Sequence, residues 1–151
     1  MIKKILKNKP LIGLILFSAI VAVINPRFLS VANILNVFRQ SSINAVIAIG
    51  MTFVILTGGI DLSVGSILAF CGAVSAAMLS SGINPVLSLL VALVLGLFFG
   101  IVNGFLVSVM KLQAFIVTLV TMTFLRGATL VFTNGKPITV NDGGALFENI
   151  D

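Results

Sequence analysis

The chain has 151 residues, 59% of them hydrophobic and only 9% charged, with a mean hydropathy of +1.26, which excludes a soluble globular domain. Nine Lys and Arg against four Asp and Glu give a net charge of +5, and four of the nine cluster at Lys3, Lys4, Lys7 and Lys9 before an apolar run, so the excess is read as cytoplasmic anchoring beside membrane lipid and not as a nucleic-acid surface. The sequence has no histidine and a single cysteine, Cys71, which excludes a His-based metal site or general base and an intrachain disulfide.

The first expected span covers 10–24, short for a hydrocarbon core of about 30 Å that takes about 20 helical residues. Asn25-Pro26 ends it, because proline removes a backbone donor and drives the preceding residue out of the helical region. A basic start before an apolar run also fits a signal peptide, but no small-x-small cleavage site precedes Asn25-Pro26-Arg27, so a retained span is expected. Residues 28–40 have the pattern of an amphipathic helix: Asn33, Asn36 and Gln40 recur at helical spacing, with Leu29, Ile34, Leu35, Val37 and Phe38 elsewhere on its surface. The expected placement is an elbow in the outer interface, the alternative being one long tilted helix that runs on into the next span.

The second and third spans are expected at 42–57 and 63–80, separated by Gly58-Gly59-Ile60-Asp61-Leu62. A short, glycine-interrupted span points to a binding or translocation region. Asp61 is the first carboxylate in the chain, the next being Asp142. Near a bilayer midplane it costs roughly 2.5 to 3.5 kcal/mol, more than the ~1 kcal/mol of a helix cap, so as a cap alone it belongs near an interface. Deeper, it needs a wet cavity or a basic partner such as Arg126. The expectation favours the cap, with Gly58, Gly59 and Ser63 forming a tight helix-to-helix turn. Gly65, Ala69, Ala73 and Ala77 recur every four residues in the third span, which suits close helix packing in lipid.

Ser81-Gly82-Ile83-Asn84-Pro85 has turn chemistry, with Pro85 suited to the first helical position. The fourth span, 86–110, carries a second small-residue series, Gly96, Gly100 and Gly104, beside Asn103, which is expected to hydrogen-bond a neighbouring helix or to touch substrate. Lys111 marks a cytoplasmic turn, in agreement with the count of spans from the basic amino terminus. In the fifth span, 114–132, Thr118, Thr121, Arg126 and Thr129 fall within an arc of about 140° and leave Thr123 outside it. Arg126 either snorkels to the outer interface or donates into a polar path. Residues 133–151 are polar and turn-rich and are expected outside. The fold class is therefore all-α, a polytopic membrane helical bundle of about five transmembrane helices plus one amphipathic elbow.

Asn44-Ala45-Val46-Ile47-Ala48-Ile49-Gly50-Met51-Thr52, followed by Leu56-Thr57-Gly58-Gly59-Ile60-Asp61-Leu62-Ser63-Val64-Gly65-Ser66, resembles the signature of the monosaccharide permeases of bacterial ATP-binding-cassette importers, the ribose type above all. The likeness extends through Asn25-Pro26-Arg27-Phe28-Leu29, Asn33-Ile34-Leu35-Asn36, Gln113 to Val120, Leu125-Arg126-Gly127 and Thr133-Asn134-Gly135. It implies an inner-membrane transport subunit with no cofactor and no catalytic residue, paired with a second permease copy, ATP-binding subunits and a periplasmic sugar-binding protein. In agreement, the sequence has no Gly-x-x-x-x-Gly-Lys-Ser/Thr loop to cradle ATP. Members of the family are longer, so the resemblance implies an amino-terminal half. The alternative function is a small helical assembly or regulatory protein of the membrane that packs through its glycine face.

Overall fold

The computed structural model describes residues 9–140, and every regular element within them is a helix. Lys3, Lys4, Lys7 and residues 141–151 of the expected external loop lie outside the described residues. The helices are α1 (Lys9–Ile24), α2 (Val31–Leu56), α3 (Val64–Ser80), α4 (Pro85–Ser108) and α5 (Ala114–Thr133), with a 3₁₀ turn, Pro26–Leu29, between the first two. Of these, α2, α4 and α5 are long and apolar enough to cross a membrane, while α1 and α3 are shorter apolar helices of 16 and 17 residues.

The chain divides between Ile49 and Gly50 into two compact units. In the first, α1 stops at Asn25, whose side chain accepts from the Arg27 N–H at 3.1 Å and starts the 3₁₀ turn with Pro26. Ser30 then accepts from the Asn33 N–H at 3.3 Å, an N-cap for α2, while Asn33 Nδ2 donates back to the Phe28 carbonyl at 2.7 Å. Residues 31–40 do not form a separate elbow, because α2 is one helix of 26 residues. No Gly or Pro interrupts it between Val31 and Ile49, and Ser42 turns its hydroxyl onto the Arg39 carbonyl at 2.7 Å within the helix.

In the second unit, α2 ends where Gly58 takes a left-handed φ of 75°. The Gly58 N–H donates to the Ile55 carbonyl at 2.9 Å and the Gly59 N–H to the Val54 carbonyl at 3.1 Å, the paired bonds of a Schellman motif. Gly82 repeats the device after α3, and Asn84 caps α4 by accepting from the Val86 N–H at 2.8 Å with Pro85 at the first helical position. Helix α3 packs against both α4 and α5, which also meet each other. Phe70 of α3 contributes an edge-on ring contact with Phe99 of α4 at 5.9 Å.

Burial in this bundle is inverted relative to a soluble protein. Among the described residues the buried set holds five polar side chains, Ser63, Ser66, Ser88, Asn103 and Thr118, against three apolar ones, Cys71, Val117 and Leu125. Large apolar side chains such as Leu93, Leu97, Phe98 and Ile101 on α4 stand outward. In lipid the apolar exterior costs nothing, and polar groups are driven inward to find partners.

Candidate functional site

The end of α2, the start of α3, the end of α4 and the start of α5 meet at one end of the second unit. Asp61 lies in the connection Thr57–Ser63 and is half-buried. Its Oδ1 accepts twice from Ser63, from the N–H at 2.7 Å and from the hydroxyl at 2.6 Å, so this oxygen holds Ser63, the residue that precedes the first helical residue of α3, and makes no bond to the first turn itself. Asn103, nearly fully buried on α4, donates through Nδ2 to Ser63 Oγ at 2.9 Å. Thr121 of α5 donates to Asn103 Oδ1 at 2.7 Å.

The direction of this chain follows from valence. A carboxylate only accepts, so the single Ser63 proton goes to Asp61 and Ser63 must accept from Asn103. The amide is thereby oriented with its carbonyl toward Thr121. Every donor from Thr121 inward points toward Asp61, and the chain ties α3, α4 and α5 together.

Thr118, one turn before Thr121, is buried and shares its proton between the Ala114 carbonyl at 2.8 Å and the Ile60 carbonyl at 3.2 Å, which pins the connection to α5. Beside these residues lies a cavity of about 290 Å³. Asp61, Asn103, Thr57 and Thr118 supply its polar wall, and Gly59, Gly100 and Gly104 the parts without side chains. Asn103 lies five residues before the end of α4, about 7.5 Å along the axis, so the cavity is near one end of the bundle and not at its middle.

Four of the five expected path residues, Asp61, Asn103, Thr118 and Thr121, thus come together with Ser63. Arg126 does not. It is exposed on α5, about 12 Å along the axis beyond Thr118, and Thr129 returns its hydroxyl to the Leu125 carbonyl at 2.7 Å. Of the expected structural glycines, Gly58 and Gly59 end α2, and Gly96 faces the Cys71 Sγ of α3, 3.9 Å from where its Cβ would stand. Gly65, Gly100 and Gly104 have nothing within 4 Å of that point. Thr57 and the Ile60 carbonyl were not singled out in the sequence. Only their place beside Asp61 could have pointed to them, since neither is unusual in residue type.

Residues 33–145 match the family described as branched-chain amino acid transport system / permease component. The chain is 52% identical over 148 residues to the ribose import permease protein of Haemophilus influenzae, covering 97% of this chain and 46% of that protein. It is 53% identical over 133 residues to the ribose import permease protein of Bacillus subtilis, covering 88% and 41%. A fructose import permease protein of Bifidobacterium longum is 48% identical over 103 residues, covering 68% and 29%. The chain therefore spans less than half the length of these relatives. No solved structure matches it. A bundle with an apolar exterior, a polar interior and this match across three quarters of its length belongs to the branched-chain amino acid transport system / permease component family.

Proposed function

We propose that the chain is part of the transmembrane permease subunit of an ATP-binding-cassette importer for a monosaccharide, with ribose as the leading substrate. The observation that carries this reading is the 52% identity to a ribose import permease over 97% of the chain. The buried polar chain between α3, α4 and α5 supports it, since a permease must hold polar groups between apolar helices to pass a sugar. In this reading ATP is hydrolysed by separate ATP-binding subunits, a periplasmic sugar-binding protein delivers the substrate, and a second permease copy completes the pathway. The subunit is multi-pass in the bacterial inner membrane with its amino terminus in the cytoplasm, as Lys3, Lys4, Lys7, Lys9 and Lys111 favour.

A chimera tests the proposal. The chain replaces the matching residues of the Haemophilus influenzae ribose import permease in cells lacking their own ribose permease, with the other importer subunits present. Labelled ribose uptake should return to cells that carry the chimera in the membrane. Normal membrane abundance with uptake of fructose but not ribose would reassign the substrate, and normal abundance with no sugar uptake would overturn the reading.

A further inference from the structure

We infer that the cavity beside Asp61 is a binding subsite for a neutral polyhydroxy ligand of monosaccharide size, in which the second oxygen of the Asp61 carboxylate accepts from a ligand hydroxyl. The inference takes only its choice of sugar from the import reading above.

The two oxygens of Asp61 are used unequally. Oδ1 takes both bonds from Ser63, whereas Oδ2 accepts none of the hydrogen bonds made among the described residues, on a side chain that lines the cavity. Holding Ser63 needs one oxygen, and an asparagine would supply it. The charge and the second oxygen are surplus to that role. The donor chain from Thr121 through Asn103 and Ser63 fixes the rotation of the carboxylate, so the free oxygen is held in place before any ligand arrives.

The remaining wall selects the ligand class. Asn103 uses one Nδ2 hydrogen on Ser63 and has a second to offer. Thr57 spends its proton on the Val54 carbonyl at 2.7 Å and Thr118 spends its own on Ala114, so both offer the cavity only lone pairs. The cavity thus presents one charged acceptor, one amide donor and two neutral acceptors. An anion is opposed by Asp61 and finds no basic residue in the lining. A bare cation prefers oxygen on all sides and is opposed by the amide N–H. A hydroxyl both donates and accepts, and satisfies every group present. Small-molecule pockets run from about 300 to 1,000 Å³, which places a cavity of about 290 Å³ at the single-sugar end. Gly100 and Gly104 leave one side open to a ring, with nothing within 4 Å of an added Cβ.

The test uses the full-length permease with its ATP-binding subunits in lipid nanodiscs. Val107→Cys, on a Cys71→Ala background, places a thiol in the cavity wall, and Gly104→Cys is the second position should the first disturb assembly. Ribose and xylose should slow thiol modification by N-ethylmaleimide, and sodium chloride should not. Asp61→Asn keeps the oxygen that holds Ser63 but turns a donor into the cavity, so it should leave complex abundance unchanged and raise the half-protecting ribose concentration about tenfold or more, the scale of a hydrogen bond to a charged group. If Asp61→Asn does not assemble, deoxy sugars probe the same contact on the unaltered carboxylate, and at least one should protect more weakly than ribose. Protection by sodium chloride, no protection by either pentose at either thiol, unchanged protection in assembled Asp61→Asn, or equal protection by all deoxy sugars would overturn the subsite. Ribose uptake by the same complex in proteoliposomes, with the binding protein supplied, separates the two readings. Protection without uptake removes the import reading, and uptake without protection removes the subsite.

Discussion

At the scale of single residues, the chain Thr121–Asn103–Ser63–Asp61 concentrates the interhelical polar energy of the second unit. Hydrogen bonds between helices in a membrane average about 0.6 kcal/mol and reach about 1.7, so Thr121→Val should destabilise the full-length protein by an amount in that range. Asn103→Ala should cost more, about 1 to 3 kcal/mol, because it leaves buried Ser63 without its donor and Thr121 without its acceptor. The two losses should not add. Once Asn103 is gone, the Thr121 hydroxyl can turn to the Val117 carbonyl one turn back on its own helix, so Thr121→Val should cost little in the Asn103→Ala background. Unfolding midpoints in detergent for the two single variants and the double variant check this; strictly additive losses would show that the bonds are independent. Asp61 was legible in the sequence as the sole carboxylate before Asp142, and Ser63 as its neighbour in the turn. Their link to Asn103, 40 residues on from Ser63, was not, because helical periodicity gives the face of a residue but not the helix that the face will meet.

At the scale of elements, the helix ends were legible because each is written in local backbone chemistry. Asn25-Pro26, Gly58-Gly59, Ser81-Gly82 and Asn84-Pro85 act within a few residues of themselves, and the helices they bound lie within two residues of the expected limits at those ends. The start of α2 was less legible, since an amphipathic pattern fits both a separate elbow and the first turns of a longer helix, and only the lack of a breaker before Ser42 separates them. Gly58 holds a φ of 75°, where an L side chain costs roughly 1 to 2 kcal/mol, so Gly58→Ala should lower stability by about 1 kcal/mol and loosen the approach to Asp61. The α4 glycines should behave differently from one another although they share one stripe. Gly96→Leu drives its added carbons toward Cys71 of α3, an overpacking of about 1 to 3 kcal/mol. Gly100→Leu meets nothing in this unit and projects into the cavity, so it should leave abundance higher than Gly96→Leu does while abolishing sugar protection of the Val107→Cys thiol. Equal loss of abundance in both variants would show that Gly100 also packs against a helix.

At the scale of the whole molecule, the sidedness of the membrane decides what the cavity faces. The connection that carries Asp61 and the turn that carries Lys111 stand at the same end of the second unit, since Ser63 reaches Asn103 near the end of α4 and Thr118 at the start of α5 reaches Ile60. The side on which Lys111 lies is therefore the side to which the Asp61 cavity is nearer. Composition makes the chain a membrane protein, and the lysine cluster at its start and the single Lys111 predict that this side is the cytoplasm. This prediction takes five crossings, counting α1 and α3 with the three longer helices although each is shorter than about 20 residues. Single cysteines introduced at Lys4 and Lys111 of the full-length protein, on a Cys71→Ala background, should react with a membrane-impermeant maleimide only after the cells are opened, and one at Asn141 should react in intact cells. Under the proposed import function the sugar would then meet the proposed Asp61 subsite late, near its exit, where a weak site that releases its ligand is compatible with transport and a tight one would hold it back. Reaction of the Lys111 position in intact cells would reverse this placement: it would put the cavity at the outer end, next to the delivering protein, and remove the five-crossing order at the same time.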